Sequence, residues 1–234
     1  MFMNILLIKT YLIILLFFPS GLCVAQGRLY SEIYKDECRD AMTYWLSHKE
    51  DFNIAACRAG VSAEFLFSII APEVSQYDRL MDKAQTYALK ILYTQFGNGY
   101  ADFSIGKFQM KPSFIEQLEY YIMDKDTLLR LFPEVLIEDK VGKSARIERI
   151  SRLEDMDWQM VYISLFCKVL QYRFSNVEFV TNEEKLRFYA NAYNRGFLFC
   201  SSVLQQNQRA CFPHFAIAKF CYADISLWFY KNLP

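Results

Sequence analysis

The sequence contains little glycine, little proline and almost no histidine, and its charges cancel. With 8 glycines and 6 prolines in 234 residues, the chain has few of the turn signals on which a β-rich fold depends. Only His48 and His214 are available as imidazole ligands and no C-x-x-C pair is present, so no zinc site, other metal or cofactor is expected. The 26 basic and 26 acidic side chains leave no net charge, so no nucleic acid partner is expected.

The first 25 residues have the composition of a signal peptide. Lys9 precedes an apolar run from Tyr11 to Phe18, and a helix-breaking Pro19-Ser20-Gly21 leads to a small-residue cleavage site at Ala25. The alternative is an uncleaved membrane anchor, which would need roughly 20 apolar residues. The sequence predicts export with cleavage, and a single domain over residues 26–234.

Cysteine usage agrees with export. Cleavage would remove Cys23, where the bulky preceding Leu22 disfavours lipid attachment, and would leave six cysteines. An even number permits three disulfides without requiring them, because free cysteine is also a common small core residue. The pairings that spacing suggests first are Cys38 with Cys57, and Cys200 with Cys211 or Cys221.

The apolar residues recur at helical spacing, which predicts an all-α fold. The predicted helices cover residues 31–46, 62–72, 77–95, 112–121, 157–174, 182–193 and 214–230. The sixth is the best marked, because Thr181-Asn182-Glu183-Glu184 has the spacing of a capping box. Gly97-Asn98-Gly99 favours a turn, so a short β-hairpin is considered near residues 96–104. The charge-dense stretch 137–157 is interpreted as a solvated loop and helix face.

Glu73 is the first candidate for catalysis. It follows Pro72 at the end of an apolar helix, where a proline removes a backbone donor and should kink or stop the helix near the glutamate. Apolar neighbours would disfavour the carboxylate and raise its pKa, as a general acid near neutral pH requires. The alternative is that Glu73 lies on a solvated face.

A second segment, Gly106-Lys107-Phe108-Gln109-Met110-Lys111-Pro112, has the residues of a tight turn that opens a helix. It resembles the Gly-Leu-Met-Gln-Ile-Met-Pro signature of soluble lytic transglycosylases and goose-type lysozymes, matching at the glycine, the glutamine and the proline. Lys107 and Lys111 depart from the pattern, and Lys111 stands where the family usually has a methionine against the sugar.

The resemblance continues in chain order and covers roughly residues 62–196. The segment from Asp155 to Leu170 is similar to the family's acidic turn and long helix, with Gln159 or Trp158 in place of an asparagine. The segment Tyr189 to Gly196 looks like the family's Ala-Tyr-Asn-Ala-Gly corner, with Arg195 as the difference. After Glu73 the family usually has serine, whereas here Val74 intervenes before Ser75.

The resemblance implies a lysozyme-like fold and a bacterial enzyme that cleaves peptidoglycan strands. Glu73 would act as general acid and then as base, in the manner of a lytic transglycosylase. The implied substrate-binding residues are Gln109, Met110, Tyr193, Asn194 and Ser75.

Two other functions stay open at this point. A lysozyme-type muramidase would use water and a second carboxylate, for which Asp102 is the leading candidate over Asp78 and Asp82. On turn statistics, Asp102 is more readily interpreted as a loop aspartate that binds its own backbone. A catalytically silent envelope protein would bind glycan or scaffold a secretion or conjugation apparatus. The expected location is the periplasm or cell envelope, and the expected state is monomeric.

Overall fold

The structure, a computed structural model, describes residues 19–137, 142–206, 210–214 and 216–234, with side chains from Gln26 onward. Within these ranges the chain is all α, as the apolar spacing predicted, with twelve α-helices, one short 3-10 helix (Pro133–Val135) and two isolated β-bridges. The helices are α1 (Pro19–Ile33), α2 (Lys35–Ser47), α3 (Lys49–Ala59), α4 (Ala63–Ser75), α5 (Arg79–Phe96), α6 (Pro112–Ile122), α7 (Asp126–Leu131), α8 (Lys143–Glu154), α9 (Met156–Arg173), α10 (Asn182–Arg195), α11 (Ser201–Gln205) and α12 (Tyr222–Asn232).

Helix α4 is the centre of the fold. Every one of its residues is buried except Glu64 and Glu73, and it packs against α2, α3, α10 and α12. Its start is fixed by Ser62, whose hydroxyl accepts a hydrogen bond from the amide of Phe65 at 3.2 Å. A helix that is apolar on all sides is stable only inside a core, so the surrounding helices hold Glu73 in place.

Helix α12 covers α4 and also packs against α1 and α10. The Tyr222 hydroxyl donates to the carbonyl of Ile69 in α4 at 3.0 Å. Close approach of α1 and α12 depends on Gly27, because a Cβ there would lie 2.7 Å from the carbonyl oxygen of Asp224 and 2.8 Å from the Cβ of Trp228. Segments near opposite ends of the described chain therefore close the core around α4.

Several helix boundaries differ from the sequence predictions. The helix predicted over residues 31–46 is two helices, α1 and α2, separated at Tyr34. Pro19-Ser20-Gly21 and the predicted cleavage site at Ala25 lie in the first part of α1. The rest of the signal-peptide prediction falls on residues 1–18, outside the described ranges. Pro72 does not stop α4, which continues for three more residues.

The last predicted helix, 214–230, begins only at Tyr222. Phe212 and Phe220 form an antiparallel bridge, in which the Phe220 amide donates to the Phe212 carbonyl at 2.7 Å and the Phe212 amide donates back at 3.1 Å. The bridge joins the two ends of a loop, and that loop includes His214.

No hairpin forms over residues 96–104. Gly97 ends α5, and the segment beyond it is bound to α6 instead of folding back on itself. Asn98 donates to Glu116 at 2.6 Å, and Asp102 accepts from the amide and the hydroxyl of Ser113 at 2.9 and 2.6 Å. The β-bridge in this region lies further on, between Ile105 and Met110.

The charge-dense stretch contains a helix, α8, that the sequence analysis interpreted as a solvated face. Arg149 and Arg152 of α8 are buried. Arg149 pairs with the buried Glu119 of α6 at 2.7 Å, and the Arg152 guanidinium lies 3.8 Å from the centre of the Trp158 ring. Glu119, 30 positions away in the sequence, compensates Arg149, whereas Arg152 pairs with Glu148 one turn earlier in the same helix at 2.9 Å. These pairs offset part of the cost of burying the two guanidinium groups.

No disulfide joins any of the six cysteines in the part of the chain that the structure describes. Cys38 of α2 is buried in the protein core, whereas its suggested partner Cys57 is exposed on α3, so the two thiols lie in different environments. Among the described helices, none has by itself the length and apolar composition for crossing a membrane. Only α3 and α4 taken together do, and they meet at 111°.

Candidate active site

Glu73 lies on the last turn of α4 and faces a cleft of about 340 Å³. It is half-buried, and no side-chain hydrogen bond joins its carboxyl to any described residue. Four other segments contribute to the cleft: residues 102–104, the turn and start of α6 at 109–117, the end of α10 at 193–196, and His214. The three segments that suggested a site in the sequence thus meet in one cavity.

Burial raises the pKa of Glu73 to about 8, and the nearby ammonium of Lys111 opposes this rise. The desolvation arises from α4 and its apolar neighbours, which leave the carboxylate little water or hydrogen bonding to replace its hydration. Glu73 is therefore a carboxylic acid that keeps its proton at neutral pH and faces an open cavity. This is the electrostatic condition for a general acid.

The segment from Ile105 to Met110 forms a closed turn. The Ile105 amide donates to the Met110 carbonyl at 3.0 Å, and the Met110 amide donates to the Ile105 carbonyl at 3.1 Å. Gly106 has φ +78° and Gln109 has φ +52°, both in the left-handed region. The Gln109 side chain donates to the Gly106 carbonyl at 2.9 Å and faces the cleft, so the turn fixes the orientation of its amide.

Two side chains support this turn from behind. The Gln159 amide is buried beneath it, accepts from the Phe108 amide at 2.8 Å and donates to the Leu153 carbonyl at 2.8 Å. Asp82 of α5 accepts from the Gly106 amide at 2.7 Å. Of the two residues considered in place of the family's asparagine, Gln159 supports this turn, whereas Trp158 lies against Arg152.

Tyr193 connects the end of α10 to the same turn. Its hydroxyl donates to the Phe108 carbonyl at 2.6 Å. Burial and the neighbouring charge of Glu73 raise the pKa of Tyr193 well above its usual value, so it stays a neutral phenol. Asn194 follows it and lines the cleft.

Asp102 lines the same cleft, but both of its oxygens already accept hydrogen bonds from Ser113. It thereby satisfies a backbone donor in the first turn of α6. This agrees with the interpretation of Asp102 as a residue that binds nearby backbone.

Ser75 is not in the cleft. It is buried on the opposite side of α4, where its hydroxyl lies 2.6 Å from the Tyr30 hydroxyl and donates to the Pro72 carbonyl at 2.7 Å. Because α4 stays helical through Pro72, residues 73 and 75 point in different directions, and Ser75 does not reach the cleft where a substrate-binding role was expected for it.

Sequence reasoning did not single out His214, Tyr222 or Lys111 as site residues. His214 lies on the loop before α12, and burial together with Lys219 and Lys111 lowers its pKa. Tyr222 lies close enough for the charge of Glu73 to raise its pKa further. A helix predicted across residue 214 concealed the loop, whereas the replacement of a methionine by Lys111 was a visible signal.

The cleft offers the protonated carboxyl of Glu73, three side-chain amides, a phenol and an ammonium group, together with the side chains of Asp102, Arg195 and His214. Among the residues with described positions, no group of three or more His, Cys, Asp or Glu side chains could hold a metal ion. Comparison of the chain with protein-family models, with curated proteins and with solved structures found no match.

Proposed function

We propose that this protein is an exported bacterial lytic transglycosylase with a lysozyme-like fold, and that Glu73 cleaves the bond between N-acetylmuramic acid and N-acetylglucosamine in peptidoglycan. The observation that carries the proposal is the Glu73 carboxyl, neutral near pH 7, without a side-chain hydrogen bond, and facing a cleft lined by Gln109, Tyr193 and Asn194. The order of these segments along the chain is the order in which the resembled family carries its site.

In this proposal the reaction starts with protonated Glu73. Its proton passes to the oxygen that bridges the two sugars, the bond from that oxygen to C1 of the muramic sugar breaks, and the other sugar leaves as an alcohol. The carboxylate then takes the proton of the muramic 6-hydroxyl, whose oxygen bonds to C1 and closes an anhydro ring. No water is consumed, and Glu73 returns to its protonated form.

The remaining residues of the cleft have roles that follow from their contacts. Gln109 and Asn194 present amides that can exchange hydrogen bonds with the acetamido groups and hydroxyls of the sugars. Tyr193 keeps the Phe108 carbonyl satisfied and adds an apolar wall beside Glu73. Met110 is almost fully buried, so its contribution is to the floor of the cleft.

A muramidase is the second candidate, because Asp102 lines the same cavity as Glu73. Its carboxylate would have to orient water while it caps α6 through Ser113. That prior engagement favours the transglycosylase. A silent glycan-binding scaffold is the third candidate, and Lys111 favours it because an ammonium beside Glu73 partly opposes protonation.

The test is digestion of purified peptidoglycan with the protein, followed by mass spectrometry of the released muropeptides. Anhydro ends are expected from the wild type, and Glu73→Gln should release no product. Glu64→Gln is the matched control, because Glu64 is the other residue of α4 that is not buried, and it should retain activity.

Other outcomes assign the protein differently. Reducing ends would indicate a muramidase, and Asp102→Asn would then be expected to abolish them. Equal product from wild type and Glu73→Gln would exclude Glu73. Strand binding without any product would support the scaffold.

A further inference from the structure

A second cavity of about 480 Å³ lies next to the turn that closes the Glu73 cleft. Gly106 and Lys107 line it, whereas the next residues of the turn, Gln109 and Met110, line the Glu73 cleft. The rest of its wall is one face of α5 together with Tyr77, Glu154, Met156 and Gln159. We call this cavity the α5 groove.

The α5 groove carries an excess of positive charge. Its cations are Arg79, Lys83, Lys90 and Lys107, against two carboxylates, Asp82 and Glu154.

The two carboxylates are already engaged. Glu154 pairs with Lys90 at 2.9 Å. Asp82 accepts from the Gly106 amide and, through its other oxygen, from the Tyr77 hydroxyl at 3.0 Å. Arg79 and Lys83 are exposed, and no ion pair joins either of them to another described residue.

Of these four cations, Lys107 belongs to the Ile105–Met110 turn itself. Its ammonium lies 4.3 Å from the centre of the Tyr77 ring and 5.1 Å from that of Tyr44. Burial lowers its pKa, although Asp40 nearby partly offsets this. A partly desolvated ammonium between two aromatic rings has lost water contacts that an incoming carboxylate could replace.

The length of the α5 groove can be estimated from the helix that lines it. Arg79, Lys83, Thr86, Tyr87 and Lys90 share one face of α5 and all line the cavity. Lys90 follows Arg79 by eleven positions, which corresponds to about 16 Å along the helix at 1.5 Å per position. An extended peptide covers this distance with about four to five residues.

We propose that the α5 groove binds an acidic peptide, namely the stem peptide attached to the glycan strand that occupies the Glu73 cleft. The glycan backbone itself has no ionised groups to match Arg79, Lys83 and Lys107, whereas a short peptide with several carboxylates has both the charge and the length. The same turn contributes residues to both cavities, which places the α5 groove next to the cleft that the glycan strand would occupy. The identity of this peptide rests on the proposed function.

The test uses calorimetric titration of the full chain with N-acetylated alanyl-γ-glutamyl-diaminopimelate, which carries three carboxylates and one amine and contains no sugar. Wild type is expected to bind it, with an affinity that falls as salt is added. The double variant Arg79→Gln/Lys83→Gln should bind roughly tenfold more weakly. The matched control is Lys35→Gln/Lys143→Gln, which removes two exposed charges outside the groove and should bind as wild type does.

A second measurement needs no variant. The same peptide with its carboxylates amidated should lose most of its affinity for the wild type. Equal binding of both peptides, or no binding of the acidic peptide, would overturn the proposal.

The two experiments distinguish an error in the peptide-binding proposal from an error in the proposed function. If the protein releases anhydro products but does not bind the peptide, the peptide-binding proposal is wrong and the proposed enzymatic function is supported. If the protein binds the peptide in a charge-dependent way but releases no muropeptide, the α5 groove is an acidic-peptide site and the proposed enzymatic function is wrong.

Discussion

The hydroxyl of Tyr193 donates a hydrogen bond of 2.6 Å to the carbonyl of Phe108. This bond joins the end of α10 to the Ile105–Met110 turn, two segments separated by 85 positions in the sequence. Both segments border Glu73, so the bond connects two walls of the cleft. The structural link is independent of the chemistry proposed for the site.

Tyr193→Phe should weaken the site more than the fold. Removal of the hydroxyl leaves the Phe108 carbonyl without its donor, and we expect a loss of roughly 1–2 kcal/mol in the free energy of unfolding. In the proposed reaction, peptidoglycan cleavage should fall about tenfold, because the turn that presents Gln109 beside Glu73 is no longer bonded to α10. Urea denaturation and muropeptide release measure the two effects.

The control for this variant is Tyr189→Phe, one turn earlier on α10. No hydrogen bond of the Tyr189 hydroxyl to a described residue is observed, so its removal should change little. Equal losses in the two variants would contradict the assigned role of Tyr193.

Gly106→Ala should be far more damaging than Gly97→Ala. Both glycines have positive φ, +78° and +86°, so both alanines carry backbone strain of about 1 kcal/mol. At Gly106 the new Cβ would also lie 2.6 Å from the Leu153 carbonyl and overlap the Gln159 amide, whereas nothing lies within 4 Å of a Cβ at Gly97.

We therefore expect roughly 3 kcal/mol or more for Gly106→Ala and about 1 kcal/mol for Gly97→Ala, measured by urea denaturation. Similar values for the two variants would show that the Gln159 support is not rigid.

Lys111→Met should shift the pH dependence of cleavage. In the proposed reaction only protonated Glu73 can start the cleavage, so activity should persist below its pKa of about 8 and fall as the pH rises through it. Lys111 favours the ionised form, and its removal should raise the pKa and move the alkaline limb upward by roughly 0.5–1 unit. The profile of kcat/KM against pH measures this limb.

His214 and Asp102 also line the cleft, and Tyr193 and Tyr222 lie near Glu73. The tyrosines have pKa values raised well above 10, so they should not contribute to a limb near pH 8. A downward shift in Lys111→Met would contradict the assignment of the limb to Glu73.

Glu73→Gln should stabilise the protein, increasingly so as the pH rises. The unfolded chain releases the Glu73 proton at the ordinary pKa near 4.5, whereas the folded protein holds it to about pH 8. Between these values the folded state binds more protons, so its stability falls with rising pH. The uncharged Gln avoids this loss, and we expect a gain of roughly 2–4 kcal/mol at pH 8 and little at pH 5.

Denaturation of wild type and Glu73→Gln at both pH values checks the prediction. A difference in stability that does not change with pH would show that Glu73 is ionised in the folded protein.

The sequence predicted the parts of the fold that depend on local pattern. Apolar spacing indicated an all-α chain, and the capping box at Thr181 placed the start of α10, where its hydroxyl accepts from the Glu184 amide at 3.2 Å. Of the three segments that meet in the cleft, Glu73 was noticed through the neighbouring Pro72 and the turn through its glycine and proline, whereas the segment ending at Gly196 was noticed through its resemblance to a family motif.

The errors occurred where a distant partner decides the structure. Helix α8 was interpreted as a solvated face because its charges alternate in sign, and nothing in the sequence indicates that Arg149 pairs with the buried Glu119, 30 positions away. His214 was placed in a helix because the pairing of Phe212 with Phe220 is a tertiary contact. Ser75 was assigned to the cleft because the resembled family usually has a serine after its glutamate, whereas α4 stays helical to Ser75 and turns this side chain toward Tyr30.

The position of α12 bears on the order in which the protein can assemble. This helix follows α4 by about 150 residues, yet it covers α4 and Tyr222 donates a hydrogen bond to the Ile69 carbonyl, three residues before Pro72. During synthesis α4 emerges about 150 residues earlier and has no such cover. The core around α4, which carries Glu73, therefore closes only after residues 222–232 have left the ribosome.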